Sequence, residues 1–129
     1  MNYFDKVLAS IEAVAKSITG ANKKGISHAN SLISSGDVKD SDSWNPPSAD
    51  EENSYIEKNG MGEYGKWFLG VDNNVDASNK GHFGYIYTSD FKNVDRKGII
   101  AIKQRAAQQK QNDVFNAASK MLDKIDKKD

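Results

Sequence analysis

Asp72, Asn74 and Asp76 stand at alternate positions in the run DNNVDASNKGHF, and alternate hard-oxygen side chains are what a calcium loop uses to converge on one cation. The rest of that chemistry is missing. Ala77 takes the sixth place, where the backbone needs glycine to turn sharply, and Phe83 the twelfth, where a bidentate carboxylate closes the shell. The segment therefore reads as a solvated turn between strands, with Asp and Asn side chains bonding their own backbone. His28 and His82 are the only histidines, and neither has a second ligand at helical metal spacing, so zinc and a histidine relay are both poorly supported. Gly60, Gly62 and Gly65 spell G-x-G-x-x-G. No apolar strand leads into them and no acidic residue follows in a βαβ unit, so they read as a helix end and a turn. With no positioned nucleophile either, the expectation is a protein that is not an enzyme and holds no cofactor and no metal.

The most distinctive surface is the stretch DRKGIIAIKQRAAQQKQ. Arg96, Lys97, Lys103, Arg105 and Lys110 make it basic, and Gln104, Gln108, Gln109 and Gln111 add amide donors and acceptors. Such a helix suits phosphate backbone, with aromatics nearby to stack on bases. The competing reading is a solvated or protein-contacting face, because the following helix carries Asp113, Asp123 and Asp126, which can neutralise it locally.

The elements that would position these residues follow from periodicity. Phe4, Val7, Leu8, Ile11, Val14, Ala15 and Ile18 fall at three-then-four spacing, an amphipathic helix over residues 1–20 with Lys6, Ser10, Glu12 and Lys16 outside its stripe. Such a stripe packs on a core in its simplest reading; Thr19 to Gly25 reads as a flexible joint, which makes the helix also a candidate docking element separate from a single globular domain over residues 26–126. Ile26, Ala29, Leu32 and Ile33 predict a short helix stopped by Gly36. Asp37 to Pro47 is a loop, pinned to the core by Trp44. Ser48 with Glu51 is a capping box that starts a helix ending near Asn59 and Gly60. Tyr64 to Val71 fits either a helix face or a strand. The aromatic alternation Phe83, Tyr85, Tyr87 favours a strand, and two short strands joined by Asp72 to Gly81 make a hairpin. A helix from Asn93 or Val94 to about Lys110 and another from Asp113 to Ile125, capped by Asn112 or Asp113, complete the chain. Trp44, Trp67, Phe68, Tyr85 and Ile102 are the expected core.

Composition bounds the function classes. The 18 basic and 18 acidic side chains cancel, so no whole-molecule field draws the chain to nucleic acid or to an anionic membrane. Cysteine is absent, which excludes disulfides, thiolate metal sites and cysteine nucleophiles. The first 20 residues, broken by Asp5 and Glu12, are neither a signal peptide nor a membrane span, so a cytoplasmic protein with no membrane partner is expected.

From Ile26 onward the chain resembles small proteins and domains of tailed bacteriophages and prophages, found beside or fused to prohead proteases of the HK97 type. The residues that carry the resemblance are SLISSGDV (31–38), Trp44, KWFLGVD (66–72), GYIYTSDF (84–91), RKGIIAIKQRAAQQ (96–109) and AASKMLDKID (117–126). After the aromatic strand this chain departs from the pattern, reading TSDF where the family carries a Pro-Phe-Gly turn. The resemblance implies a role in particle assembly or around the capsid, in the host cytoplasm or the virion, and brings no catalytic residues. Together these readings predict an α+β fold, mainly helical, with a two-stranded hairpin packed on a C-terminal helix pair. The partner is a protein, either a capsid or assembly component or a second copy. Phe4, Leu8, Ile11 and Ile18 on the first helix, with Arg96, Lys103 and Arg105, are the expected contacts. Two alternatives are a nucleic-acid-binding accessory protein using residues 96–110 and a small phage inhibitor of a host enzyme or defence system.

Overall fold

The computed structural model describes residues 18–127. Phe4, Leu8 and Ile11, and with them the predicted first helix, lie outside the described residues. Within them the fold is α+β, as composition and periodicity predict.

The longest helices form where the apolar spacing is cleanest. Helix α4 (Arg96–Gln108) buries Gly98, Ile99, Ile102 and Ala106, and α5 (Asn112–Asp126) buries Val114, Ala118 and Met121. Both are three-and-four patterns, so the helices pack stripe to stripe as an antiparallel pair. The turn between them is closed by Lys110 at φ 57°. There Gln111 N donates to Ala106 O at 2.8 Å and Lys110 N to Ala107 O at 3.3 Å, which satisfies carbonyls at the helix end. The α4 helix starts later than predicted. Val94 and Asp95 form a strand, and the Asp95 side chain accepts from Lys97 N at 2.9 Å as the cap. The predicted cap of α5 is also displaced: Gln111 stands at that position and offers no side-chain bond to the helix.

Helix α1 (Lys23–Ser34) is ended by Gly36 at φ 80°. Helix α2 (Ala49–Asn59) has the predicted capping box, Glu51 N to Ser48 Oγ at 3.2 Å and Ser48 N to Glu51 Oε1 at 3.1 Å, and Gly60 at φ 89° ends it. Residues 64–71 resolve their ambiguity by division: Met61–Gly65 is a short helix α3, and Phe68–Val71 a strand.

The predicted two-stranded hairpin is one part of a three-stranded antiparallel sheet. Strand β3 (Phe68–Val71) is central, with β4 (Phe83–Ile86) on one side and β1 (Gly20–Ala21) on the other. Residues 19–25, read from sequence as a flexible joint, are therefore built into the body. Thr19 N donates to Val71 O and Asn22 N to Leu69 O, both at 2.8 Å. The buried Asn22 amide donates to Gly65 O and Phe68 O at 2.9 Å each. A second, parallel pair joins β2 (Val38–Lys39) to β5 (Val94–Asp95).

The core fills the space between the sheet and the helix pair. Leu69, Tyr87, Val94 and Ile99 are fully buried, and Trp67, Phe68 and Ile102 nearly so, as predicted. Tyr85 is only half-buried. Trp44 is half-buried too, its ring so close over Gly98 that a β-carbon there would lie 2.6 Å from it. That contact pins the acidic loop to α4.

His28 meets the edge of the Trp67 ring with centroids 4.7 Å apart. Burial, followed by the Lys66 ammonium, holds its imidazole below the ordinary value, against a smaller pull from Glu63. A folded state that resists the proton, set against an unfolded state that accepts it below about pH 6.5, loses stability as pH falls through that range. Denaturant midpoints should therefore drop from about pH 7 to about pH 5, and His28→Gln should flatten the slope. An unchanged slope would remove His28 as its source.

Candidate functional site

The basic stretch does not fold into one basic face. Arg96 and Lys103 are seven residues apart, two helical turns, and both face α5. Arg96 Nε and Asp126 Oδ1 are 2.8 Å apart, and a second nitrogen reaches Asp126 Oδ2 at 3.0 Å. The Asp40 carboxylate lies 4.0 Å from the same guanidinium and 2.7 Å from Lys97 Nζ. Lys103 Nζ sits 5.5 Å from the centre of the Phe115 ring, a cation held over an aromatic face. The anticipated local neutralisation is thus supplied by Asp126 together with Asp40.

Arg105, two residues beyond Lys103, is turned about 200° around the helix, onto the sheet side. It is exposed, and among the described residues no carboxylate lies within ion-pair range of it. Its neighbour is Tyr85, whose phenol is pushed up by burial and pulled back by the Arg105 charge. The protonated hydroxyl donates to Gln109 Oε1.

Tyr85 is unusual in itself. Its φ of 66° is in the left-handed region, where a bulky side chain is strained by about 1 kcal/mol or more. The strand's bonding changes phase there: Asp72 N donates to His82 O, and five residues along Tyr87 N donates to Trp67 O. A regular antiparallel ladder repeats every two residues, so an odd interval requires a kink. The kink lays the Tyr85 ring towards Gly70, where a β-carbon would meet it at 2.8 Å.

Ile18 reaches the same place. Its side chain rests over Gly70 and Gly84, which pair directly across β3 and β4, and a β-carbon at these positions would lie 3.1 and 2.5 Å from it. Its carbonyl accepts from Gln111 Nε2 at 3.1 Å. Of the predicted contact residues, the fold thus brings Ile18 and Arg105 together around Tyr85 and turns Arg96 and Lys103 towards α5. Sequence reading missed Gly70 and Gly84 in this cluster, and named Gln109 and Gln111 only as amide donors and acceptors of the basic stretch. The one linear signal was the pair of glycines inside two otherwise apolar strands, a mark of close approach.

The calcium-like run is spent on its own backbone. Asp72 Oδ1 accepts from Asn74 N at 2.9 Å, Asp76 Oδ1 from Ser78 N at 2.8 Å, and Asn79 Oδ1 from Gly81 N at 2.8 Å. His82 Nδ1 lies 2.7 Å from Val75 O. Among the described residues no group of three His, Asp or Glu side chains is placed to hold a metal ion. Surface grooves among the described residues include a 710 Å³ trough along the serine-bearing side of α1 and a 450 Å³ cleft beside the stacked Tyr55 and Phe91 rings. Among the described residues no helix is long and apolar enough to cross a membrane.

No family model, curated protein or solved structure matches this chain.

Proposed function

We propose that the protein is a phage-type structural, assembly or accessory protein that acts through protein contacts and catalyses no reaction. The observation that carries this reading is the division of labour within the residue blocks shared with the phage pattern. In KWFLGVD the apolar members Trp67, Phe68 and Leu69 are core, and in RKGIIAIKQRAAQQ so are Ile99, Ile102 and Ala106. What the second block leaves outside, besides Ala107, is Gln104, Arg105 and Gln108, side chains suited to a polar contact rim. The partner is a capsid or assembly component, or a second copy, and the working place is the host cytoplasm or the particle.

The test is the mass of the intact chain in light scattering, alone and with candidate capsid components, against Leu8→Asp with Ile11→Asp and against residues 18–129. The truncation begins at Ile18 because Thr19 to Asn22 belong to the sheet. Association weakened about tenfold or more by the double substitution, in a domain that stays folded, is the expected result. A domain that melts instead makes the stripe core, and undiminished association moves the contact elsewhere. The nucleic-acid alternative predicts steeply salt-dependent DNA or RNA binding that fails with Arg105→Ala and Lys110→Ala.

A further inference from the structure

We propose that the 450 Å³ cleft between α2 and the turn 88–92 is a docking groove for an extended peptide segment of a partner protein, one that carries an acidic side chain beside a large apolar one. This rests on the reading that the protein works through protein contacts, and it names a contact surface on the globular body and the chemistry that fits it.

Three observations converge. The first is the aromatic wall. Tyr55 and Phe91 stack with ring centres 4.3 Å apart, and both are only half-buried, so apolar surface is left to the cleft they line. Both rings are held in place. The Tyr55 hydroxyl accepts from Trp67 Nε1 at 3.0 Å, and Phe91 keeps its left-handed φ of 54° because its amide donates to Thr88 Oγ1 at 3.0 Å and the turn closes on Asp90. A fixed aromatic pair gives apolar contact without having to be ordered by its ligand.

The second is charge. Lys58 on the last turn of α2 and Lys92, next to Phe91, line the cleft from its two walls. Both are exposed, and among the described residues no carboxylate lies within ion-pair range of either. The acids of the same cleft are differently placed. Asp90 accepts from Lys92 N and Asn93 N at 2.9 Å and from Asn93 Nδ2 at 3.0 Å, and Glu51 from Ser48 N at 3.1 Å, so the fold already engages them. Asp50 and Glu51 stand in the first turn of α2, at the opposite end of the helix from Lys58. A nucleic-acid strand following the cleft would set its phosphates against those two carboxylates and be repelled. A peptide carries charge only at chosen side chains, so it can place an acid at the lysines and keep the other end free of one.

The third is size. The face of α2 that lines the cleft runs from Asp50 to Asn59, about 14 Å along the helix, which is room for about four residues of extended chain. Past Glu51 and Asp90 the cleft continues into a 290 Å³ recess walled by Ser41, Ser43 and Asn45, whose hydroxyl and amide groups suit a peptide main chain.

The test is a selection by the full chain from a displayed library of short random peptides. The expected result is a consensus with Asp or Glu beside a large apolar residue, and a fluorescein-labelled peptide of that consensus that binds the chain in fluorescence polarisation. Lys58→Glu with Lys92→Glu, both exposed so that the circular dichroism is kept, should weaken this binding about tenfold or more, and exchanging the acid of the peptide for Lys should restore it. Replacing the apolar residue of the peptide by Ala should cost about as much. No consensus, a consensus without an acid, binding indifferent to the two lysines, or no recovery on charge exchange would each overturn the groove. Labelled oligothymidylate that binds the chain and is lost with the two lysines would give the cleft to nucleic acid, and a fall in the mass of the chain on the same substitutions would give it to a second copy; either replaces the peptide. Light scattering with Leu8→Asp and Ile11→Asp uses none of these probes, so the groove and the reading beneath it can fail separately.

Discussion

Gly25→Ala destabilises the fold by about 3 to 5 kcal/mol. A β-carbon at this position would lie 1.7 Å from the Phe68 carbonyl oxygen and 2.9 Å from its carbon. Both atoms are backbone, on the central strand, so no side chain can swing aside. Relief requires α1 to lift away from β3. That motion breaks the two bonds of the Asn22 amide, since Asn22 is the residue from which α1 starts and Phe68 O is one of its acceptors. Overpacking by one methyl commonly costs about 1 to 3 kcal/mol, and the loss of bonds to two buried carbonyls adds about 1 kcal/mol or more each. Against a stability of about 5 to 15 kcal/mol, the sum is a large part of the whole. Urea denaturation followed by tryptophan fluorescence gives the number directly. A destabilisation under about 1 kcal/mol would mean that the helix and strand can separate without harm.

Asp95→Ala is the second large loss. Asp95 is fully buried and serves three parts of the fold at once. One carboxylate oxygen caps α4 through Lys97 N, the other accepts from Ser41 Oγ at 2.7 Å, and its backbone pairs with Lys39 in the parallel strands. Removing a cap costs about 1 kcal/mol, and stripping the part-buried Ser41 hydroxyl and Lys97 amide of their acceptor brings the total to about 2 to 3 kcal/mol. The damage should be local in kind. The loop from Asp37 to Pro47 loses its tie, so amide exchange should rise there and at the first turn of α4 before it rises in α5. Asp95→Asn, which keeps an acceptor, should recover about half. Uniform exchange across the whole chain would instead mark the loop and helix as one cooperative unit.

The helices were legible because their signals are local. Ser48 and Glu51 announce α2 by themselves, and the apolar spacing in α4 and α5 survives any tertiary context. The strands were not, for a physical reason. Gly20–Ala21, Val38–Lys39 and Val94–Asp95 are two residues long, too short to show alternation, and each is a strand only because a distant partner bonds it. Thus a glycine before Asn22 and two lysines looked like a hinge, and Val94 looked like the start of a helix. The basic surface was misjudged differently. Arg96, Lys103 and Arg105 are close in the text, yet a spacing of seven keeps two of them on one face and a further step of two sends the third to the opposite side. Periodicity contained that answer. Nothing in the sequence marked Tyr85 for φ 66°, because a tyrosine in the left-handed region is set by what surrounds it.

The departure TSDF shows how a turn without proline or glycine is sustained. Phe91 adopts φ 54°, and Thr88 and Asp90 knit the turn: Phe91 N donates to Thr88 Oγ1 at 3.0 Å, Thr88 Oγ1 to Asn93 O at 2.7 Å, and Lys92 N and Asn93 N to Asp90 Oδ1 at 2.9 Å. The Phe91 ring is thereby delivered onto Tyr55, stacked at 4.3 Å.

The pairing of Gly20 with Val71 and of Val38 with Val94 has a consequence for how the molecule comes into being. During synthesis β1 leaves the ribosome with no strand to join until residue 71 has followed it, and β2 waits until residue 95. The α4–α5 hairpin needs only its own residues and closes fast, whereas each sheet must first close a long loop at an entropic cost that grows with the logarithm of its length. The Gly70–Gly84 pair on which Ile18 rests is therefore not formed until β4 has followed β3 out of the ribosome.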